Sequence, residues 1–327
     1  ITLFPQLIAG PIIRYKLIAR QFSDRQVTLE GFAQGVRRFI IGLGKKLILA
    51  DTVAYTANQI FNAHTHLLTP AVAWLGVLCF TIQIYFDFSG YSDMAIGMGR
   101  MFGFVFPENF SSPYIAGSIT DFWRRWHMTL SGWFRDYLYI PLGGNRRRPA
   151  RVYLNLLTVF FLCGLWHGAT WSFVVWGLFH GTFLILERVG VGRWLEERAG
   201  PLRHLYVLLV VMVGWVFFNA RTLSQAITYL SVMAGLRRGS GVEYNLSLYL
   251  NPALMLALAA GIIGSTPVVP LVAKSWERLA DRAAEAGNLL LELLGRGAAT
   301  ALLAVIFFGS AMMSAHGSYS PFIYYRF

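Results

Sequence analysis

The chain has 327 residues, of which 56% are hydrophobic and only 13% charged, and its mean hydropathy is +0.51. That balance excludes an ordinary soluble domain, where roughly a quarter of residues are charged, and points to an integral membrane protein in contact with a lipid bilayer. The net charge of +12 suggests a nucleic-acid partner, but the basic residues sit in short loops between apolar runs. Positive-inside topology accounts for them, and no nucleic acid is expected.

In chain order, residues 1–13 place Pro5, Gly10 and Pro11 in an apolar run too short to span, which predicts a loop or a short re-entrant segment. The chain starts at Ile1 without Met or a cleavable signal pattern, so N-terminal spans are expected to be missing. From 29 to 58 the pattern is helical. Arg37, Arg38, Lys45 and Lys46 lie among apolar residues there, predicting an interfacial helix whose basic side chains snorkel.

A span of about 20 apolar residues crosses roughly 30 Å of hydrocarbon. Candidate spans fall near 71–88, 152–169, 171–187, 205–219, 250–272 and 298–315. The first runs into Asp87-Phe88-Ser89-Gly90-Tyr91-Ser92-Asp93, where Asp93 is expected to cap a following helix and Asp87 to need a buried donor or a wet cavity. Residues 121–139 are aromatic and basic together, predicting one amphipathic helix, ended by Pro141-Leu142-Gly143-Gly144-Asn145. The arginines at 146–148 that follow fit either a phosphate cradle or a topology signal.

If 152–187 is a hairpin, the basic loops 146–151, 188–203 and 274–296 share one side. That side is expected to be cytoplasmic, which sends the C-terminus to the periplasmic or extracellular face. A charged surface helix is predicted over 274–295. No internal repeat divides the chain, so 1–327 reads as a single all-α, polytopic membrane domain.

His167 lies inside the apolar run 152–173. A titratable group at membrane depth suggests function, because its charged form is costly there, and imidazole performs acid/base chemistry near neutral pH. The structural alternative is a neutral histidine bonded to a neighbouring helix. His127 is the natural partner: one histidine would take a proton from an acceptor hydroxyl while the other orients it or stabilises charge on the acyl oxygen. Spacing alone does not bring the two together, and two unrelated structural histidines stand as the alternative.

His180 reads as a packing or proton-network residue, and Cys79 and Cys163 as small core residues. An acyl-cysteine relay at Cys163, one turn before His167, is the less favoured alternative. His64 and His66 have no neighbours that complete a metal-ligand set. Gly97-Met98-Gly99 gives no dinucleotide fingerprint, and neither a bound cofactor nor a metal is expected.

Taken together, several motifs resemble those of the membrane-bound O-acyltransferase family. They are residues 4–11, 87–93, Phe122-Trp123-Arg124-Arg125-Trp126-His127 with 137–145, Leu165-Trp166-His167-Gly168-Ala169, Trp176-Gly177 with His180-Gly181, and 321–327. The resemblance covers nearly the whole chain. It implies a many-helix membrane fold with a central funnel or tunnel, with His167 as principal catalytic residue and general base and His127 as the second motif histidine. It further implies Trp123, Trp126, Trp133 and Trp166 as tunnel walls, and Arg124 or Arg125 near the donor's phosphates.

The donor implied is a cytoplasmic thioester, acetyl-CoA, and the setting is the bacterial inner membrane. Periplasmic esterase-fold partners would carry acetyl groups to an exopolysaccharide such as alginate. Cellulose and peptidoglycan are other acceptors in this branch, and teichoic-acid alanylation is a more distant one. Competing readings are a proton-coupled transporter using Asp87 and His167, and a non-catalytic scaffold for periplasmic acetylation enzymes.

Overall fold

The computed structural model describes residues 4–7, 10–198, 200–237, 245–315 and 322, and every regular element among them is helical. The motif at 321–327, apart from Phe322, lies outside the described residues, as do the chain's C-terminal end and Ile8 and Ala9 of the opening segment. In chain order the α-helices are α1 (Tyr15–Asp24), α2 (Leu29–Gly44), α3 (Asp51–Asn62), α4 (Pro70–Met101), α5 (Ile119–Arg125), α6 (Met128–Phe134) and α7 (Pro149–His167). They continue with α8 (Trp171–Leu186), α9 (Gly192–Glu196), α10 (Gly200–Asn219), α11 (Leu223–Met233), α12 (Pro252–Gly264), α13 (Val268–Glu285) and α14 (Leu289–Ala315).

Among the described residues, α4, α7, the helical stretch Trp171–Glu196, α10 and α14 are long and apolar enough to cross a membrane. The span expected over 250–272 is broken instead. Pro267 has no N–H to continue α12, Thr266 Oγ1 donates back to the Ile263 carbonyl at 2.6 Å, and the chain bends by 71° into α13. The charged helix expected over 274–295 is likewise divided, because Gly287 takes a left-handed turn (φ 66°) between α13 and α14.

The chain falls into two compact units, 1–52 with 84–107 and 256–323, and 53–83 with 108–255 and 324–327. In the first, α2 and the C-terminal half of α4 pack backbone on backbone. A Cβ added at Gly35 would lie 2.6 Å from the Gly97 carbonyl oxygen, and one at Gly42 would lie 2.6 Å from that of Gly90. The helices therefore approach closely at two points seven residues apart on each, the small-residue contact familiar between membrane helices. Gly97, which carries no nucleotide signal, has this packing role.

A π-helical segment, Lys45–Ala50, joins α2 to α3 and turns Lys46 inward. Its side chain is buried, with Nζ 2.7 Å from Asp51 Oδ1 and 2.6 Å from Asp87 Oδ1, and the Phe322 ring lies 4.9 Å away. Lys46 is thus the buried donor Asp87 requires, and it does not snorkel as the helical pattern predicts. Asp93 does not cap a helix, since α4 runs unbroken past it. It binds Arg38 Nη2 at 2.8 Å and Lys45 Nζ at 2.6 Å. A carboxylate in an apolar bundle needs a cation or several hydrogen bonds, and here three cations meet three carboxylates.

In the second unit α7 and α8 form the expected hairpin, and α10 packs on α8. Within this unit the Tyr229 hydroxyl of α11 donates to the Ala73 carbonyl, at the start of α4, at 2.9 Å.

Replacing Lys46 with Met removes the shared cation from two buried carboxylates, a change that typically costs about 3–5 kcal/mol. The expected outcome is a marked fall in the thermal midpoint of the detergent-solubilised protein, partly recovered in Lys46→Met/Asp87→Asn. An unchanged midpoint for the single variant would show that this cluster does not hold the first unit together.

Candidate active site

The α7–α8 hairpin positions His167. A Cβ at Gly164 would collide with the Phe173 carbonyl oxygen and one at Gly177 with that of Phe160, so the two helices touch along their backbones. α7 passes straight through Gly164 and ends at His167, and a side chain at Gly168 would strike the Phe173 ring at 2.6 Å. The His167 imidazole is buried in an aromatic shell, with ring centroids at 4.9 Å to Trp166, 5.0 Å to Trp176, 5.2 Å to Phe218 and 6.4 Å to Phe173.

His127 arrives from a different direction. The buried Glu187 carboxylate accepts from the backbone N–H groups of Ile119 and Thr120 and from Thr120 Oγ1 at 2.7 Å, and Ser118 Oγ accepts from Asp121 N at 2.9 Å. Together they satisfy the orphan donors at the start of α5 and fix where that helix begins. The single helix expected over 121–139 is broken one turn later. Trp126 N closes α5 on the Phe122 carbonyl at 2.8 Å, and His127 adopts the left-handed region (φ 44°, ψ 53°) before α6 starts. A π-helical segment, Arg135–Tyr139, completes the stretch.

A non-glycine residue in that conformation costs roughly 1–2 kcal/mol, and it persists only where neighbours hold it. Asn109 does so. Its carbonyl oxygen accepts from Met128 N at 2.9 Å, and its side-chain oxygen sits 3.0 Å from His127 Nδ1. Sequence reasoning did not single out Asn109. It lies 18 residues before His127 in a loop without periodicity, and the one visible signal was an amide flanked by Pro107 and Pro113.

The structure brings His127, Trp166 and His167 together. The His127 and Trp166 rings are 6.4 Å apart. Burial holds the His127 imidazole well below the ordinary histidine range, and His167 beside it adds to that shift. Behind them, buried Trp123 meets Trp176 at 5.8 Å and His180 at 5.2 Å, and buried Trp126 meets Trp215 at 4.9 Å. Trp176 therefore touches both His167 and His180.

His180 is fully buried, and neither ring nitrogen has a hydrogen-bond partner among the described residues. Arg125 is engaged by Asp121 at 3.0 Å, whereas Arg124 is exposed. Trp166 and Trp133 are both exposed, and Cys163 is buried in α7. Two buried imidazoles on either side of one indole are suited to moving a proton without bulk water.

Residues 1–232 match the membrane-bound O-acyltransferase family. The chain is 40% identical to a probable alginate O-acetylase of Azotobacter vinelandii and 41% identical to one of Pseudomonas putida. Each alignment covers 100% of this chain and 68% of the relative. It is also 44% identical to a peptidoglycan O-acetyltransferase of Helicobacter pylori, over 72% of this chain and 46% of that protein. The all-helical fold with several membrane-length apolar helices agrees with these matches. The chain belongs to the membrane-bound O-acyltransferase family and is a multi-pass membrane acyltransferase.

Proposed function

We propose that this chain moves an acetyl group from a cytoplasmic thioester, acetyl-CoA, across the bacterial inner membrane for O-acetylation of an exopolysaccharide of the alginate type. The observation that carries this reading is that two buried histidines from separate helical segments, His127 and His167, flank the same Trp166 ring, at 6.4 and 4.9 Å. His167 takes the proton from an acceptor hydroxyl as its oxygen attacks the thioester carbonyl. The C–S bond then breaks, and the departing thiolate takes the proton back from the imidazolium. His127 positions the acceptor. Trp123, Trp126 and Trp166 line the path of the acyl group, and exposed Arg124 meets the donor's phosphates.

Similarity over the whole chain to the alginate O-acetylases supports the acceptor class, and the Helicobacter pylori relative makes peptidoglycan the second candidate. Periplasmic esterase-fold partners pass the acetyl group to the polymer, and the C-terminus faces the periplasm. The transporter reading needs Asp87 as a relay group, whereas its carboxylate is held by Lys46.

General-base assistance is typically worth about 10²- to 10⁴-fold. In a deletion strain complemented with the intact protein, His167→Ala is expected to remove acetyl groups from the polymer while the protein still reaches the membrane. Normal acetyl content would overturn the proposal, and intact complex assembly with lost acetylation would exclude a scaffold.

Because His127 is held neutral by burial, acidification through the ordinary histidine value of about 6.5 is expected to leave its role intact. A rate limb near that value that disappears in His127→Gln would contradict this. The unfolded chain takes up a proton at His127 that the native chain does not bind, so this group's share of stability is full above that range and declines as the pH falls below it.

A further inference from the structure

Asn109 is 1% exposed, and its side-chain oxygen gathers three contacts. Thr129 N lies at 3.3 Å, Thr129 Oγ1 at 2.8 Å and His127 Nδ1 at 3.0 Å. A backbone N–H only donates, so the atom facing Thr129 N is the amide oxygen and not the amide nitrogen. That oxygen only accepts. His127 Nδ1 must therefore carry the ring proton, and in the neutral imidazole the lone pair resides on Nε2. The same residue's backbone oxygen accepts from Met128 N at 2.9 Å, so Asn109 holds both the ring and the left-handed turn that presents it.

We propose that Asn109 is a positioning residue for acyl transfer: it locks His127 in the Nδ1–H tautomer, so that within the site the ring's lone pair stays on Nε2. This rests on the placement of His127 in the acyl-transfer site. It also decides between the two roles open to His127, because a neutral imidazole of this tautomer has no Nε2 proton to offer an oxyanion. Outer hydrogen-bond partners that orient metal-bound histidines are worth about 10- to 100-fold in affinity or activity, and an effect of that order is expected here.

The experiment measures acetyl transfer from labelled acetyl-CoA in membrane vesicles carrying the intact protein, with rates normalised to folded protein. Asn109→Leu removes the acceptor and is expected to lower the maximal rate about 10- to 100-fold with the KM for acetyl-CoA little changed. Asn109→Asp keeps an acceptor for Nδ1 and for Thr129 and is expected to restore most of the rate. Its carboxylate favours protonated His127, beside which His167 is the neighbouring titratable group, so the acid limb of its rate profile moves to higher pH.

A purely structural Asn109 would change the yield of folded protein and move neither the normalised rate nor the limb. Wild-type normalised rates in Asn109→Leu, or an Asn109→Asp profile identical to wild type, would overturn the proposal. If Asn109→Leu fails to fold, the Asn109→Asp profile decides alone. His127→Ala separates the two levels. Retained transfer in that variant defeats the site reading itself, whereas lost transfer beside a fully active Asn109→Leu defeats only the positioning role.

Discussion

Between α7 and α8 there is no room for a side chain at Gly164 or Gly177, and the arrangement of the site's second unit follows from that contact. Backbone touching backbone sets the distance between the two helices and the register in which they pair. Register then decides which residues share a level: His167 at the end of one helix comes to face Trp176 on the other. Trp176 in turn touches His180, Trp123, Trp215 and Phe218, so the aromatic cluster is built outward from the hairpin. In lipid there is little hydrophobic force between helices, and close van der Waals approach of this kind is what remains to specify their pairing.

The first unit solves a different problem with the same means. Its glycine contacts bring α2 against α4, and the charges carried along those helices must then be matched inside an apolar setting. Lys46 between Asp51 and Asp87, and Asp93 between Arg38 and Lys45, achieve that matching. A buried ion pair adds little net stability over well-packed apolar residues, but a misregistered helix pair would leave its charges without partners. The charges therefore act against wrong packings more than they strengthen the right one.

Much of the helical layout was legible in the sequence, because hydropathy over a membrane-length window depends on local composition alone. The hairpin at 152–187 and the spans near 71–88, 205–219 and 298–315 were found on that basis, and the structure places the hairpin's helices at Pro149–His167 and Trp171–Leu186. The breaks at Pro267 and Gly287 are local and were passed over because hydropathy ignores backbone conformation, whereas the other errors concern what a polar residue does once a distant segment arrives. Lys46 in an apolar helix looks the same whether it snorkels or meets Asp87 41 residues later. Asp93 before a glycine-containing stretch looks like a cap until α4 proves continuous and Arg38 reaches it. The break at His127 had no glycine or proline to announce it, since the turn is held by Asn109 from another loop.

The two histidines sit in unlike surroundings, and at His127 the surroundings bear on the chemistry. His167 ends α7 and is surrounded by the rings of Trp166, Trp176 and Phe218. His127 is placed by direction: it sits in a strained backbone conformation and is tied through Nδ1 to an oxygen that is itself fixed by Thr129. A glycine at position 127 would relieve the strain but would carry no imidazole. Strain of this size survives where surrounding contacts over-determine the geometry, and at His127 those contacts also fix which nitrogen bears the proton. A directional partner such as Asn109 specifies both where the ring lies and which of its nitrogens carries the proton.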